Sequence, residues 1–329
     1  METVHIPGLE QAPSRIGLGT WAIGGWLWGG TDEEASVRTV RAAIDRGITL
    51  IDTAPIYGFG ESESLVGRAV AESGRRDNLV IATKAGIDWP EESPRRNATR
   101  ERLEYEIDQS LRRLQVDVID VHQVHWPDPL VPVEETAQAM KALQEKGKIR
   151  TIGVSNFSPE QMDRFRAEAP LAVCQPPYNL FERGIEEDVL PYCRDNGITT
   201  LTYGALCRGM LSGRMHRDRE FPGDDLRNFD PKFQQPRYDQ YIDAVRALDA
   251  LAEKRFHKRV IHLALRWVLD QPGVGVALWG ARRPEQLDPA AEVMGWALDT
   301  DTLREMDRIV SETVTDPVGP EFMAPPARE

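Results

Sequence analysis

The sequence has few cysteines and no long apolar run. Three of its 329 residues are cysteine (Cys174, Cys193 and Cys207), and none forms a CxxC pair. Three thiols cannot all pair with one another, so the pattern disfavours a disulfide framework and favours a reducing compartment. No apolar stretch approaches the roughly 20 residues of a membrane span, and the first residues lack the basic and apolar regions of a secretory signal. We therefore expect a soluble, cytoplasmic protein that does not contact membranes.

The sequence is also short of positive charge. It contains 53 Asp and Glu against 40 Lys and Arg, a net charge of -13. This balance opposes nonspecific binding to nucleic acid or anionic lipid. An anionic ligand must therefore be held by a local cationic pocket. We expect a small-molecule substrate, no nucleic-acid partner, and a monomer or weak homo-oligomer.

Short β-rich runs alternate with amphipathic segments along most of the chain. This order is typical of a parallel sheet built from βα units, and eight repeats favour closure into a (β/α)8 TIM barrel. Barrels of this kind commonly reach this length as one domain, so residues 1–329 are interpreted as a single domain. The predicted strands are residues 15–19, 49–53, 79–84, 118–122, 149–155, 173–175, 199–203 and 274–279.

Capping signals mark the predicted helix starts. Thr31 with Glu34 predicts a capping box before the first helix, and Ser158 with Gln161 predicts another after the fifth strand. Both signals fall between a strand and an amphipathic segment, where a βα unit needs a helix start.

Two regions interrupt the repeat. Residues 208–239, rich in Gly, Pro, Asp and Arg, are too long for an ordinary loop after strand seven, and we interpret them as a lid over the site. The proline-rich C-terminal extension, residues 316–326, cannot form regular helix or central strand. It is either an ordered strap or a mobile tail.

Four polar residues follow the ends of successive predicted strands. Asp52 ends strand two and Tyr57 follows five residues later, while Lys84 ends strand three and His125 follows strand four. The carboxyl ends of barrel strands meet on one face, where catalysis takes place. An ammonium lowers the pKa of a nearby phenol, a carboxylate can hold the ammonium, and an imidazole can orient a carbonyl. The set predicts proton transfer to a carbonyl oxygen.

Four segments resemble the aldo-keto reductases. The likeness extends from about Arg15 to the C-terminus and is greatest with the bacterial NADPH-dependent general-stress reductases and glycerol or polyol dehydrogenases. That group shares Gly280-Ala281-Arg282 and Asp316-Pro317-Val318-Gly319-Pro320. The four segments are Ile51-Asp52-Thr53-Ala54 with Tyr57-Gly58, Ile81-Ala82-Thr83-Lys84, His125-Trp126-Pro127-Asp128-Pro129, and Ile152-Gly153-Val154-Ser155-Asn156-Phe157.

The resemblance implies an NADP(H)-dependent oxidoreductase. Such an enzyme would reversibly reduce small hydroxyaldehydes, methylglyoxal or sugars by hydride transfer from nicotinamide C4. Tyr57 would be the general acid in reduction and the base in oxidation. Lys84 and Asp52 would tune it, and His125 would position the carbonyl.

The resemblance also implies a site for NADPH. Ser155, Asn156 and Gln175 would hold the carboxamide, and Tyr203 would stack on the nicotinamide. A glycine-bearing loop after strand seven offers backbone N–H groups and one guanidinium for pyrophosphate, and two arginines after strand eight favour a 2′-phosphate ligand. The cofactor residues are Gly19, Thr20, Trp21, Ser155, Asn156, Gln175, Tyr203, Gly204, Ala205, Leu206, Cys207, Arg208, Gly209, Gly280, Ala281, Arg282 with its neighbour Arg283, and Gln286, while Asp225 and Arg227 would close over the cofactor.

A second glycine pattern is rejected as a nucleotide site. Residues 17–22 match GxGxx(G/A), but the first helix is predicted to begin only after Thr31. A Rossmann fingerprint needs a helix that opens directly from the glycines.

Aromatic and apolar residues are predicted at the substrate mouth. An aromatic wall accepts aldehydes and sugars alike, so it does not identify the substrate. The predicted lining is Trp21, Ile23, Phe59, Trp89 and Trp126.

Other interpretations stay open at this point. His122 is either a structural neighbour of His125 or a proton relay to it. A nucleotide-sensing regulatory subunit with the same fold and slow turnover is the main alternative function. A metal-dependent hydrolase using His122, His125 and Asp52 is disfavoured, because His-x-x-His on a strand places the two rings on opposite faces and Lys84 would put a cation beside the metal.

Overall fold

The computed structural model describes residues 1–328 and has a closed barrel of eight parallel strands. Each strand pairs with its neighbours along the chain, and β8 returns to pair with β1. The predicted (β/α)8 barrel is confirmed, with strand boundaries within about two residues of prediction. The barrel strands are β1 (Ile16–Gly19), β2 (Leu50–Asp52), β3 (Val80–Ala85), β4 (Ile119–Val124), β5 (Ile149–Ser155), β6 (Val173–Gln175), β7 (Thr199–Thr202) and β8 (Val274–Gly280).

Helices cover the outside of the barrel. Their apolar faces pack on the outward side chains of the strands in one large core. No helix within residues 1–328 has the length and apolar character needed to cross a membrane. The helices are α1 (Glu33–Asp45), α2 (Glu61–Ser73), α3 (Arg100–Leu114), α4 (Val133–Glu145), α5 (Pro159–Glu168), α6 (Val189–Asp195), α7 (Arg237–Phe256), α8 (Val260–Asp270) and α9 (Thr300–Thr313).

The barrel interior has an apolar floor and a polar top. Leu50, Val80 and Val121 pack in the floor with Ile6 of the N-terminal segment. Nearer the strand ends, the inward positions of β2, β3 and β4 are polar. Because side chains alternate along a strand, these polar groups lie inside the barrel, above the apolar floor.

One predicted capping box is confirmed and the other is wrong. Ser158 accepts a hydrogen bond from the Gln161 N–H at 3.2 Å, and the Gln161 side chain accepts one from Ser158 at 2.9 Å. Before α1 the cap is Asp32, whose carboxylate accepts from Ala35. Thr31 is unavailable because its hydroxyl donates back to a carbonyl of the loop after β1 at 2.7 Å.

The insertion at residues 208–239 is folded against the loop after β1. It consists of turns and 3-10 segments, among them Leu226–Asn228 and Pro231–Phe233, and leads into α7. The Asp224 carboxylate accepts hydrogen bonds from the N–H groups of Leu27 at 2.7 Å and Gly29 at 2.9 Å. These bonds connect the loops after β1 and β7 on the catalytic face of the barrel.

The C-terminal extension is an ordered strap. Gly319 accepts a hydrogen bond from buried Lys232 of the insertion at 2.9 Å. Further along, the Pro326 carbonyl accepts from the Arg96 N–H at 2.9 Å, and Arg328 pairs with Asp128 at 3.0 Å. The strap therefore runs from the insertion to the loops after β3 and β4.

A small hairpin after β3 was not predicted. Ile87–Asp88 pairs antiparallel with Arg95–Arg96, and we call residues 87–96 the rim hairpin. Two-residue strands carry no periodicity that a sequence pattern can reveal.

Candidate active site

Asp52, Lys84 and Tyr57 meet at the top of the barrel. The Lys84 ammonium donates to Asp52 Oδ2 at 2.7 Å, to the Thr53 carbonyl at 2.9 Å and to the Tyr57 hydroxyl at 3.1 Å. Lys84 is fully buried and Asp52 is 3 % exposed. A buried ammonium needs a counter-charge, which Asp52 supplies. The bond to the Tyr57 hydroxyl places the positive charge beside the phenol.

A pair of glutamines holds the other oxygen of Asp52. Its Oδ1 accepts hydrogen bonds from Gln175 at 2.8 Å and from Gln123 at 3.3 Å. Sequence reasoning missed Gln123. The signal was present, because residues 121, 123 and 125 alternate on one face of β4 and its extension.

Two glycines allow the loop that carries Tyr57 to touch the loop after β1. A Cβ on Gly24 would lie 2.5 Å from the carbonyl carbon and oxygen of Tyr57. A Cβ on Gly58 would lie 2.1 Å from the Gly24 oxygen, and Gly58 has a φ of 65°. Contact between the two backbones fixes the height of Tyr57 above the barrel.

The electrostatics of the site differ from the prediction for Tyr57. Burial, with a smaller contribution from the Asp52 charge, raises the pKa of Tyr57 well above 10. Burial lowers the pKa of Lys84 despite its contact with Asp52. The expected lowering of the phenol pKa is wrong because desolvation outweighs the ammonium. The phenol is thus protonated at neutral pH.

His125 lies beside the phenol as a neutral ring. Its centroid is 5.8 Å from that of Tyr57, and the two rings are nearly perpendicular. Burial and then the Lys84 charge lower the pKa of His125 well below 6.5. A neutral imidazole can donate one hydrogen bond without adding a charge.

His122 is separated from this group. It opposes Thr83 across the β3–β4 pair, on the face opposite to inward-pointing Gln123. Burial lowers the pKa of His122 to about 3, and neither ring nitrogen has a hydrogen-bond partner within residues 1–328. No hydrogen-bonded relay connects it to His125.

Aromatic side chains surround the mouth above Tyr57. Trp26, Phe59, Trp89 and Trp126 pack in a cluster with Tyr57, and Trp21 stacks 6.1 Å from the phenol ring. Trp26 was not predicted. Ile23, which was predicted to line the mouth, is fully buried in the main core instead, because the 3-10 turn Trp21–Gly24 directs it away from the opening.

The three residues predicted to hold the carboxamide and the tyrosine predicted to stack on the nicotinamide form one hydrogen-bonded group. Asn156, with a φ of 64°, donates to the His125 carbonyl at 3.0 Å and accepts from the Tyr203 hydroxyl at 2.9 Å. Ser155 donates to the Gln175 carbonyl at 2.8 Å. The structure thus brings these four side chains next to the catalytic group.

The loop predicted to bind pyrophosphate is a tight left-handed turn. Gly204, Cys207, Arg208 and Gly209 all have positive φ angles. Within residues 1–328 the N–H groups of Ala205 and the following Leu206 have no protein acceptor. Successive free N–H groups of this kind can bind an anion.

Arg208 itself does not face a phosphate site, which corrects the prediction. It is 7 % exposed, and its guanidinium pairs with Glu182 at 2.5 Å and with Asp230. Lys232 shares Glu182 at 2.8 Å. The charge of Arg208 is therefore neutralised, and its side chain supports the turn from behind.

Arg282, unlike Arg208, has no acidic partner within residues 1–328. Its guanidinium donates to the carbonyls of Trp28, at 2.7 Å, and Gly30. Gln286 accepts hydrogen bonds from the N–H groups of Arg282 at 2.7 Å and Arg283 at 3.0 Å, which shapes the turn after β8. Gly280 and Ala281 lead into this turn, while Gly19 ends the adjacent strand β1 and Thr20 follows it.

The insertion reaches the same region. Arg227 pairs with Asp225 at 2.5 Å, and its guanidinium lies 5.3 Å from the ring centroid of Trp28. Residues 1–328 contain no group of three or more His, Cys, Asp or Glu side chains arranged to hold a metal ion. Arg227 and Arg282 therefore both lie beside Trp28 in the loop after β1.

A comparison with protein families agrees with this geometry. The model of the aldo/keto reductase family matches residues 15–311. The chain belongs to the aldo/keto reductase family. Members of this family are oxidoreductases that reduce carbonyl groups with nicotinamide cofactors. The resemblance seen in the sequence is confirmed.

Several aldo/keto reductases are similar over nearly the full chain. The aldo-keto reductase YhdN of Bacillus subtilis is 60% identical over 329 residues, covering 100% of this chain and 99% of that protein. The NADH-specific methylglyoxal reductase of Escherichia coli is 35% identical, covering 93% and 98%. The structure of the glycerol dehydrogenase AKR11B4 from Gluconobacter oxydans has a TM-score of 0.88 and 51% identity, covering 98% and 99%.

Proposed function

We propose that this protein is an NADP(H)-dependent reductase that reversibly converts aldehydes and ketones to alcohols, with Tyr57 as the general acid. The observation that carries the proposal is the ammonium of Lys84, which bonds both Asp52 and the Tyr57 hydroxyl at the mouth of the barrel. A protonated phenol beside a fixed positive charge can give up its proton and leave a stabilised phenolate.

The proton steps follow from the arrangement. A substrate carbonyl above Tyr57 accepts hydrogen bonds from the phenol and from neutral His125. A nicotinamide held by Ser155, Asn156 and Gln175 would supply the hydride for the carbonyl carbon. The carbonyl oxygen then takes the phenol proton, and Lys84 stabilises the phenolate that remains. In oxidation the phenolate takes the alcohol proton and the steps reverse.

The residues around the mouth fit a dinucleotide phosphate. Ala205 and Leu206 offer free N–H groups for the pyrophosphate, in place of the guanidinium first assigned to it. Arg282 forms no ion pair within residues 1–328 and supports a 2′-phosphate contact. We therefore propose a preference for NADPH, although one similar protein is named as NADH-specific.

The substrate is proposed to be small and polar. Trp26, Phe59, Trp89 and Trp126 pack around the phenol and form an apolar wall beside it. Relatives are named as a methylglyoxal reductase and a glycerol dehydrogenase. Small hydroxyaldehydes, methylglyoxal and sugars are thus the substrates to test first.

One chain supplies every proposed catalytic side chain. Asp52, Tyr57, Lys84 and His125 come from consecutive βα units of one barrel. We therefore propose a single domain that acts as a monomer or weak homo-oligomer. Three buried free thiols support a reducing compartment such as the cytoplasm.

The test is turnover with a panel of small aldehydes and NADPH. The proposal predicts aldehyde-dependent loss of the reduced-nicotinamide absorbance and formation of the alcohol. Tight NADPH binding without turnover of any aldehyde would contradict the proposal and favour a nucleotide-sensing protein.

A further inference from the structure

The rim hairpin places one arginine on the wall of the substrate mouth. Arg96 directly opposes Ile87, and opposed residues of an antiparallel pair point to the same side. Ile87 packs in the aromatic cluster with Tyr57, Trp89 and Trp126. Arg96 therefore shares the face of the hairpin that lies against the mouth.

One side-chain contact and one backbone contact hold Arg96 in this position. Its Nη1 donates to the Pro127 carbonyl at 3.1 Å, next to Trp126. Its backbone N–H donates to Pro326 of the strap at 2.9 Å. Its Nε is buried and has no acceptor within residues 1–328.

Arg96 is unusual because it has no acidic partner. Within residues 1–328, the partly buried arginines that form no ion pair are Arg95, Arg96 and Arg282, and the last two donate only to carbonyl groups. By contrast, Arg102 beside the same hairpin pairs with Glu106 at 2.8 Å. A partly buried cation without a counter-charge is costly unless a ligand supplies the anion.

We propose that Arg96 is a specificity-determining residue that binds an anionic group of the substrate. The substrate class is then an aldehyde or ketone that also carries a carboxylate or a phosphate. Guanidinium groups bind both anions through paired N–H donors. This inference rests on the proposed reductase activity and extends it to the charge of the substrate.

The hairpin offers a matched control. Arg95 lies one residue away and opposes Asp88, so its side chain points to the other face of the hairpin. Arg95 and Arg96 have the same charge and are neighbours in the same strand of the hairpin. A general electrostatic attraction of anions would depend on both residues, whereas a contact in the mouth depends on Arg96 alone.

The test compares each anionic substrate with a neutral counterpart of similar structure. Butanal is paired with 4-oxobutanoate to examine a carboxylate, and glyceraldehyde is paired with glyceraldehyde 3-phosphate to examine a phosphate. We expect Arg96→Gln to lower kcat/KM about tenfold or more for at least one anionic substrate and to leave its neutral counterpart nearly unchanged. Arg95→Gln should leave unchanged the ratio of kcat/KM for the anionic substrate to that for its neutral counterpart. Arg96→Lys should lower this ratio less than Arg96→Gln does.

A binding measurement separates this inference from the reductase proposal. Calorimetry with NADP present measures the affinity for butanoate. We expect the wild type and Arg95→Gln to bind butanoate equally well, and Arg96→Gln to bind it more weakly. The role of Arg96 would be overturned if Arg96→Gln lowered kcat/KM equally for charged and neutral substrates. It would also be overturned if Arg95→Gln and Arg96→Gln weakened butanoate binding equally. Absence of turnover with every substrate would instead overturn the reductase proposal, and butanoate binding would still test Arg96.

Discussion

The Lys84 ammonium donates a hydrogen bond to the Tyr57 hydroxyl at 3.1 Å while it pairs with Asp52 at 2.7 Å. The ion pair pays the cost of burying the ammonium, and the third bond points the charge at the phenol. The Asp52 carboxylate therefore has two roles. It stabilises the top of the barrel, and it positions the ammonium that acts on the phenol.

Removal of the carboxylate should destabilise the fold. Asp52→Ala leaves buried Lys84 without a counter-charge, so we expect a loss of about 3–5 kcal/mol in the free energy of unfolding. Asp45→Ala, which breaks the exposed pair with Arg75, should cost less than about 1 kcal/mol. Denaturant unfolding measures both losses in the free energy of unfolding, provided that the variants keep the m-value of the wild type. Similar losses for the two variants would contradict the structural role of Asp52.

The close approach of Gly24 to Tyr57 predicts an effect on catalysis. Gly24→Ala places a methyl group 2.5 Å from the Tyr57 backbone, so the loop must move and the phenol with it. We expect kcat to fall about 100-fold, since small displacements in an active site have large effects. Gly184→Ala is the control because nothing lies within 4 Å of its added Cβ. Unchanged kcat in a folded Gly24→Ala variant would show that the position of Tyr57 tolerates the shift.

The pKa shifts predict an unusual pH dependence for carbonyl reduction. The pKa of His125 lies well below 6.5, so the ring stays neutral and kcat should show no acid limb between about pH 5.5 and about pH 7.5. On the alkaline side Lys84 should titrate before Tyr57, because burial lowers the first pKa and raises the second. A pH profile of kcat measures this. A single-proton loss of activity near pH 6.5 would show that His125 titrates normally.

Cofactor preference should depend on Arg282. Arg282→Ala removes bonds to Trp28 and Gly30 that affect any dinucleotide, so the informative quantity is the ratio of NADPH to NADH affinity. We expect this ratio to fall about tenfold or more, as for a lost charge-assisted hydrogen bond. Arg112→Ala, at an exposed position on α3, is the control and should leave the ratio unchanged. Equal loss of both affinities in Arg282→Ala would exclude contact with a 2′-phosphate.

The sequence predicted the barrel and its catalytic group because both follow from local patterns. Each strand has its own apolar run, and Asp52 and Lys84 stand where those runs stop. The errors concern long-range contacts. Arg208 was predicted to bind pyrophosphate, but in the fold it pairs with Glu182 and Asp230. Ile23 was predicted to line the mouth, but a 3-10 turn buries it. Such contacts carry no local signal.

The most direct test of the central claim compares Tyr57→Phe with the wild type. Removal of the hydroxyl leaves the ring and its packing, so NADPH affinity measured by fluorescence titration should be unchanged, while kcat for aldehyde reduction should fall by about 10²–10⁴. Tyr105→Phe, at an exposed site on α3, should match the wild type in both measurements. Wild-type turnover by Tyr57→Phe would contradict the assignment of Tyr57 as the general acid.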